Sequence, residues 1–133
     1  MSWCMMDKNK SMTSPLKSAK GLGSAKHGLS HWIAQRVTAI ALVPLTIWFV
    51  SLIAFMKSSN YETAIETVSN PLNATLFLLL IIATFWHAQL GLQVVIEDYI
   101  ANKMTRMTLI IITKFILAII GVLSALSVLR IVL

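Results

Sequence analysis

Three long apolar runs dominate the chain. Uncharged residues fill positions 37–56 and 72–96, and a third run, 107–133, is interrupted only by Lys114 and Arg130. A helix needs about 20 apolar residues to cross the ~30 Å hydrocarbon core of a bilayer. Helices are the expected form, because backbone amides find no partners in lipid and the runs lack the alternation of barrel strands. The pattern predicts an all-α integral membrane protein whose three transmembrane helices cover about residues 37–56, 74–96 and 107–129.

Composition supports this class. Of the 133 residues, 57% are hydrophobic and 12% are charged, whereas soluble domains carry roughly 25% charged residues. The length suits one small domain. A water-soluble core of this size could not bury so much apolar surface, so membrane lipid is an expected partner.

Basic residues are distributed unevenly between the two sides of the predicted spans. Before position 37 the chain has six basic residues and one acidic residue, and the second connection carries Lys103 and Arg106. The first connection, 57–71, has one lysine and two glutamates. The positive-inside rule therefore predicts a cytoplasmic N-terminus and a periplasmic C-terminus in a bacterial inner membrane.

Residues 1–30 form a polar, basic segment before the first run. We expect a flexible cytoplasmic arm there and a membrane domain over residues 31–133. Lysine-rich arms also bind nucleic acid or anionic lipid, but an orientation signal beside a membrane helix is the more common role, and no nucleic-acid partner is predicted. No secretory signal is expected, because no apolar core precedes position 37. The single Cys4 forms no internal disulfide and is assigned no function.

His87 lies near the middle of the second span. An ionisable side chain there is costly and is a candidate for function. Its neighbours one helical turn away are Ala83 and Gly91, which leave a shallow groove wide enough for a flat macrocycle, and a neutral imidazole is a good axial ligand for haem iron. A histidine hydrogen-bonded to another helix, with small neighbours for close packing, explains the spacing equally well.

The other two histidines, His27 and His31, both precede the first predicted span. Neither is expected at the depth of His87. If His87 binds haem, the second axial ligand comes from another chain or the iron is five-coordinate. A hetero-oligomer is the preferred interpretation.

Asp98 and Tyr99 end the second span, near its cytoplasmic surface. Asp98 follows His87 by eleven residues, which places it about 16 Å away and within about 20° of the same helix face. The Tyr99 phenol can donate a hydrogen bond to a carbonyl oxygen. A solvated helix end and an interfacial aromatic anchor are the more common explanations of such a pair.

Two segments carry a resemblance to a known family. The pattern His87-Ala88-x-x-Gly91-x-x-Val94-x-x-Asp98-Tyr99 resembles the second helix of the smaller, haem b-binding hydrophobic membrane anchor of succinate dehydrogenase, respiratory complex II. The segment His31-Trp32-Ile33-Ala34-Gln35-Arg36-Val37-Thr38-Ala39-Ile40 resembles the start of the first helix of that anchor. The likeness extends from about Gly21 to the C-terminus.

The resemblance implies a membrane anchor that is not catalytic on its own. In this family a flavoprotein subunit oxidises succinate, a step of the tricarboxylic acid cycle, and an iron–sulfur subunit passes the electrons to ubiquinone. Two anchors hold one haem b between them. His87 would then be one axial ligand of the haem iron, and a second cytochrome b anchor subunit would supply the other. Tyr99 would hydrogen-bond ubiquinone, with Asp98 beside it, and Arg36 would lie near the quinone and the haem propionates.

Two alternatives remain open from the sequence. The chain could be the anchor of a quinol:fumarate reductase, or a structural membrane subunit without haem. A transporter subunit is disfavoured, because His87 and Lys114 are the only ionisable candidates for a polar path inside the predicted spans. Lys114 is expected to extend its ammonium group to the surface, the alternative being a pair with a buried acid or propionate of a partner.

Overall fold

A computed structural model describes residues 26–133, with side chains from residue 28 onwards. It contains four helices in the described part of the chain: α1 (Lys26–Met56), α2 (Tyr61–Ser69), α3 (Pro71–Tyr99) and α4 (Lys103–Val132). The three long helices are apolar and long enough to cross a membrane. The predicted class, an all-α protein with three transmembrane helices, is confirmed. Cys4 and the predicted arm up to residue 25 lie outside the described residues.

Asparagine residues start the second and third long helices. The Asn70 side-chain oxygen accepts a hydrogen bond from the Leu72 amide at 3.0 Å, and Pro71 occupies the first helical turn. Proline suits this position because its missing amide proton would have no helical partner there. Asn102 caps α4 in the same way, accepting from the Met104 amide at 3.0 Å.

Helix α1 begins earlier than hydropathy suggests. It starts at Lys26, and its membrane-compatible part starts at Gly28 rather than at residue 37. The expected boundary between arm and membrane domain, at residue 30, therefore lies inside a helix. The charge of Arg36 precedes the uncharged run but does not end the helix, because arginine has a high helix propensity and a long stem.

The first connection contains the short helix α2, which was not predicted from the sequence. Helix α2 contacts both α3 and α4. The Asn73 amide group donates to the Thr67 carbonyl at 2.8 Å, and the Ser69 hydroxyl donates to the Ile131 carbonyl at 3.3 Å. These bonds fix α2 where α3 begins and α4 ends.

Helix α3 packs against both α1 and α4. Against α1, the Phe77 ring makes edge contacts with Trp48 and Phe49, with ring centroids 5.1 and 5.8 Å apart. Against α4, a Cβ atom added to Gly121 would lie 3.4 Å from the Phe85 ring. Ala74 and Leu90, both on α3, are the buried hydrophobic residues of the described region. The other helix faces expose large apolar side chains, as expected where lipid or a partner subunit supplies the surroundings.

Candidate functional site

His87 is half-buried on the side of α3 that faces α1. Its Nδ1 atom lies 3.0 Å from the Thr38 hydroxyl oxygen, which is a hydrogen bond between the two helices. Nε2 has no hydrogen-bond partner within residues 28–133. The interhelical bond predicted as one alternative is therefore present, and it uses only one of the two ring nitrogens.

Thr38 is itself bonded to its own helix. Its hydroxyl lies 2.8 Å from the Ala34 carbonyl oxygen and 3.1 Å from the Gln35 carbonyl oxygen. A β-branched side chain has few rotamers in a helix, and the threonine hydroxyl commonly bonds a carbonyl three or four residues back. The polar group that meets His87 is thus held in place by α1.

Open space lies one helical turn from His87 and beside its partner Thr38. A Cβ atom added to Gly91, one turn from His87, would meet nothing within 4 Å. Within residues 28–133, Gly91 is therefore not a close-packing position, unlike Gly121. A groove of about 380 Å³ opens beside Thr38 along the seam between α1 and α3, and its lining residues are Ser30, Ile33, Ala34, Val37, Thr38 and Trp86.

Asp98 and Tyr99 lie together at the C-terminal end of α3, and both are exposed. The Tyr99 side chain is 84% exposed. Neither side chain has a hydrogen-bond partner in the part of the chain that the structure describes. They lie about 16 Å from His87 along the helix axis, so the two ends of this candidate site are separate within one helix.

Arg36 lies apart from these residues. It is exposed on α1, with its guanidinium carbon 5.3 Å from the centroid of the Trp32 ring, a cation–π contact. Arg36 precedes Thr38 by two residues, which is about 200° around the helix. Because Thr38 faces α3, Arg36 points away from α3. It also lies about 12 Å inside the membrane-compatible segment that begins at Gly28.

His31 is the polar residue that sequence reasoning set aside and the structure brings forward. Its Nε2 atom is buried and has no hydrogen-bond partner among the described residues. His31 precedes Thr38 by seven residues, so it lies on nearly the same face of α1, about 10 Å away. Buried polar atoms without a partner are rare. The sequence feature that could have identified His31 is its spacing of seven residues from Thr38, which places both residues on nearly the same helix face. The His27 side chain lies outside the described residues.

Lys114 is exposed on α4. Together with Gln89 and Gln93 it lines the seam between α3 and α4. The Gln93 amide group donates to Glu97 at 2.9 Å. Within residues 28–133 no three metal-ligating side chains come together.

Comparison with known proteins agrees with this architecture. Residues 10–123 match the family model of the succinate dehydrogenase/fumarate reductase transmembrane subunit. A succinate dehydrogenase hydrophobic membrane anchor subunit of Rickettsia bellii is 44% identical over 96 residues, which cover 72% of this chain and 77% of that protein. The corresponding subunit of Rickettsia conorii is 38% identical over 97 residues, with the same coverage. That of Paracoccus denitrificans is 34% identical over 85 residues, covering 64% of this chain and 66% of that protein.

Three membrane-compatible helices and these matches define a multi-pass anchor of a respiratory complex. The chain belongs to the succinate dehydrogenase/fumarate reductase transmembrane subunit family. The resemblance predicted from the sequence is confirmed at this level, and so is the anchor role. An anchor of this family has the membrane and the catalytic subunits of its complex as partners.

Proposed function

We propose that this chain is the smaller anchor of a succinate dehydrogenase, that it helps to bind haem b and ubiquinone, and that it assists electron transfer from succinate oxidation to the quinone pool. The observation that carries the proposal is the arrangement of His87. This half-buried imidazole lies in the middle of a transmembrane helix, with Nδ1 bonded to Thr38 and Nε2 unbonded within residues 28–133. A second cytochrome b anchor, a flavoprotein and an iron–sulfur subunit are the proposed partners.

The residues around His87 fit a haem. The neutral imidazole offers Nε2 as a ligand, the space beside Gly91 is open, and an apolar groove follows the seam between α1 and α3. When bound, haem supplies a one-electron redox centre inside the membrane. This chain would hold the haem through His87, and the second anchor would supply a further ligand. Thr38 restrains the imidazole through the hydrogen bond to Nδ1.

The end of α3 suits a quinone head group. Reduction of a quinone consumes two electrons and two protons, so the site needs a donor for a carbonyl oxygen and access to water. The Tyr99 hydroxyl is the donor at the membrane surface. Asp98 is exposed beside it and can exchange protons with water. A partner subunit covering this end of α3 would complete the pocket.

Arg36 contributes its charge from the outer face of α1. Since it points away from α3, an anionic propionate or a reduced quinone near Arg36 would lie between α1 and the second anchor. A guanidinium group stabilises such negative charge through charge-assisted hydrogen bonds. The Trp32 ring beneath it holds the side chain in position by the cation–π contact.

The direction of the reaction is proposed from the relatives. The family model covers both succinate dehydrogenases and fumarate reductases, while the relatives compared above are named as succinate dehydrogenase anchors. Their names favour succinate oxidation. A quinol:fumarate reductase anchor is the second candidate, and a haem-free structural subunit is the third.

Purification of the tagged chain in mild detergent tests the proposed function. We expect it to bring down a flavoprotein, an iron–sulfur protein and a second membrane subunit, with haem b absorbance and succinate:quinone reductase activity. Quinol-driven fumarate reduction faster than succinate oxidation would support the second candidate instead. An active complex without haem absorbance would support the third.

A further inference from the structure

We propose that Thr38 is a positioning residue that holds His87 in the tautomer protonated on Nδ1, and thereby directs unprotonated Nε2 to the haem iron. This inference rests on the proposed role of His87. Thr38 of α1 would position His87 of α3 and leave Nε2 as the nitrogen that coordinates the iron.

The hydroxyl of Thr38 has one proton to donate. Its oxygen lies 2.8 Å from the Ala34 carbonyl oxygen and 3.1 Å from the Gln35 carbonyl oxygen. Carbonyl oxygens accept hydrogen bonds and cannot donate them, whereas a hydroxyl has one donor proton and two acceptor lone pairs. We place the proton between Thr38 and the backbone of α1, because two oxygen atoms 2.8 Å apart with no proton between them would repel each other. A lone pair of the hydroxyl then remains for His87.

The imidazole must then be the donor in the bond between the helices. A neutral imidazole carries one N–H group and one nitrogen lone pair. With Nδ1 3.0 Å from an oxygen that accepts, Nδ1 carries the proton. The lone pair is consequently on Nε2, which has no competing partner within residues 28–133. The opposite arrangement, with Thr38 donating to Nδ1, would leave the proton on Nε2 and block coordination by that atom.

The position of Thr38 makes this restraint effective. Residues of α1 and α3 meet at Thr38 and His87, in the middle of both helices. A bond to the non-coordinating nitrogen fixes the rotation of the ring and makes the other nitrogen a stronger electron donor. Loss of such a partner costs about 10–100-fold in metal affinity at sites of this kind.

Two substitutions separate the hydroxyl from the shape of the side chain. Thr38→Val keeps the branched shape and removes the hydroxyl, whereas Thr38→Ser keeps the hydroxyl. In the purified complex we expect Thr38→Val to weaken haem retention about tenfold and to raise the haem midpoint potential, because a weaker donor stabilises ferric iron less. Thr38→Ser should return both values towards those of the unsubstituted complex.

Suppose that the low-spin haem of the complex depends on His87, but that Thr38→Val changes neither the haem midpoint potential nor haem retention. This result would overturn the inference about Thr38 and leave the proposed function intact. A wild-type complex that contains no haem would overturn the proposed function and this inference together. A merely structural role of Thr38 would change complex yield without changing the potential of the haem that is retained.

A second measurement does not depend on haem or on assembly of a variant. The full chain labelled with ¹⁵N-histidine, in lipid bilayers without haem, reports the protonated nitrogen of His87 by its imidazole shifts, assigned by comparison with His87→Gln. We expect the Nδ1–H form in the unsubstituted chain. Predominance of the Nε2–H form would contradict the inference.

Discussion

At the scale of single residues, the two nitrogens of His87 have different tasks. One is bonded to Thr38, and the other has no hydrogen-bond partner within residues 28–133. A polar side chain in the middle of a membrane span is stabilised by a partner, and this partner leaves the second nitrogen available. Structural and ligating roles are therefore compatible in one histidine.

Tyr99 can be tested by removing its hydroxyl. A buried hydrogen bond contributes on the order of 1 kcal/mol net, and more when charge develops on the acceptor. We expect Tyr99→Phe to lower succinate:quinone reductase activity at least several-fold. Succinate oxidation by an artificial acceptor at the soluble subunits should stay normal, because the flavin site is untouched.

Tyr61 provides the matched control, since it is the other tyrosine of the chain. It lies on α2, at the opposite end of α3 from Tyr99, and it is also exposed. Tyr61→Phe should leave both activities unchanged. Equal activities for Tyr99→Phe and the unsubstituted complex would show that Tyr99 is an interfacial anchor only.

The sequence indicated which residues are candidates, but it did not indicate how most of them are oriented. His87 is visible because an ionisable residue interrupts an apolar run, and its spacing to Asp98 fixes their common face. The partner of His87 was not predicted, because Thr38 meets it only through the packing of α1 on α3. The outward direction of Arg36 follows from the same packing, which no local pattern encodes.

At the scale of helices, α3 is the element that positions the site. It carries His87, Asp98 and Tyr99 and packs against the other two long helices. Gly91 of α3 and Gly121 of α4 differ in their surroundings. Gly121 of α4 approaches the Phe85 ring closely, whereas the space at Gly91 is open.

Substitution of these two glycines distinguishes packing from cofactor space. Gly121→Leu should force α4 away from Phe85 and destabilise the chain by about 1–3 kcal/mol, seen as a lower melting temperature of the complex. A Cβ atom at position 91 meets no atom within 4 Å among the described residues, so Gly91→Leu should change stability little but lower the haem content of the assembled complex. Full haem content in Gly91→Leu would mean that haem does not occupy the space beside His87.

The limits of the helices were predicted unevenly. Helices α3 and α4 are encoded locally, because Asn70 and Asn102 cap their starts and long apolar runs follow. Helix α2 was missed, because its polar composition is also typical of a loop and bonds to Asn73 and Ile131 hold it in place. Helix α1 was predicted too short, because hydropathy reports where lipid contact ends and not where backbone hydrogen bonds end.

At the scale of the whole molecule, little of the apolar surface is covered by the chain itself. Two hydrophobic residues are buried within residues 28–133, and many large apolar side chains are exposed. Lipid and the second anchor are proposed to cover this surface. Three spans would place the two ends of the membrane domain on opposite sides of the bilayer, and the positive-inside rule predicts that the N-terminal end is cytoplasmic.

Reporter fusions test this topology. A reporter that is active only in the periplasm should be active when fused after Leu133, because the third span exports it. The matched fusion after Asn102, which follows two spans, should be inactive. Activity of the Asn102 fusion with silence of the Leu133 fusion would invert the proposed orientation.

The absorption and electron paramagnetic resonance spectra of the His87→Leu complex test the central claim most directly. His31→Leu is the matched control, because it removes an imidazole from the same face of α1 that carries Thr38. We expect low-spin, bis-imidazole haem in the unsubstituted and His31→Leu complexes, and high-spin or lost haem in His87→Leu. An unchanged low-spin spectrum in His87→Leu would contradict the assignment of His87 as the haem ligand.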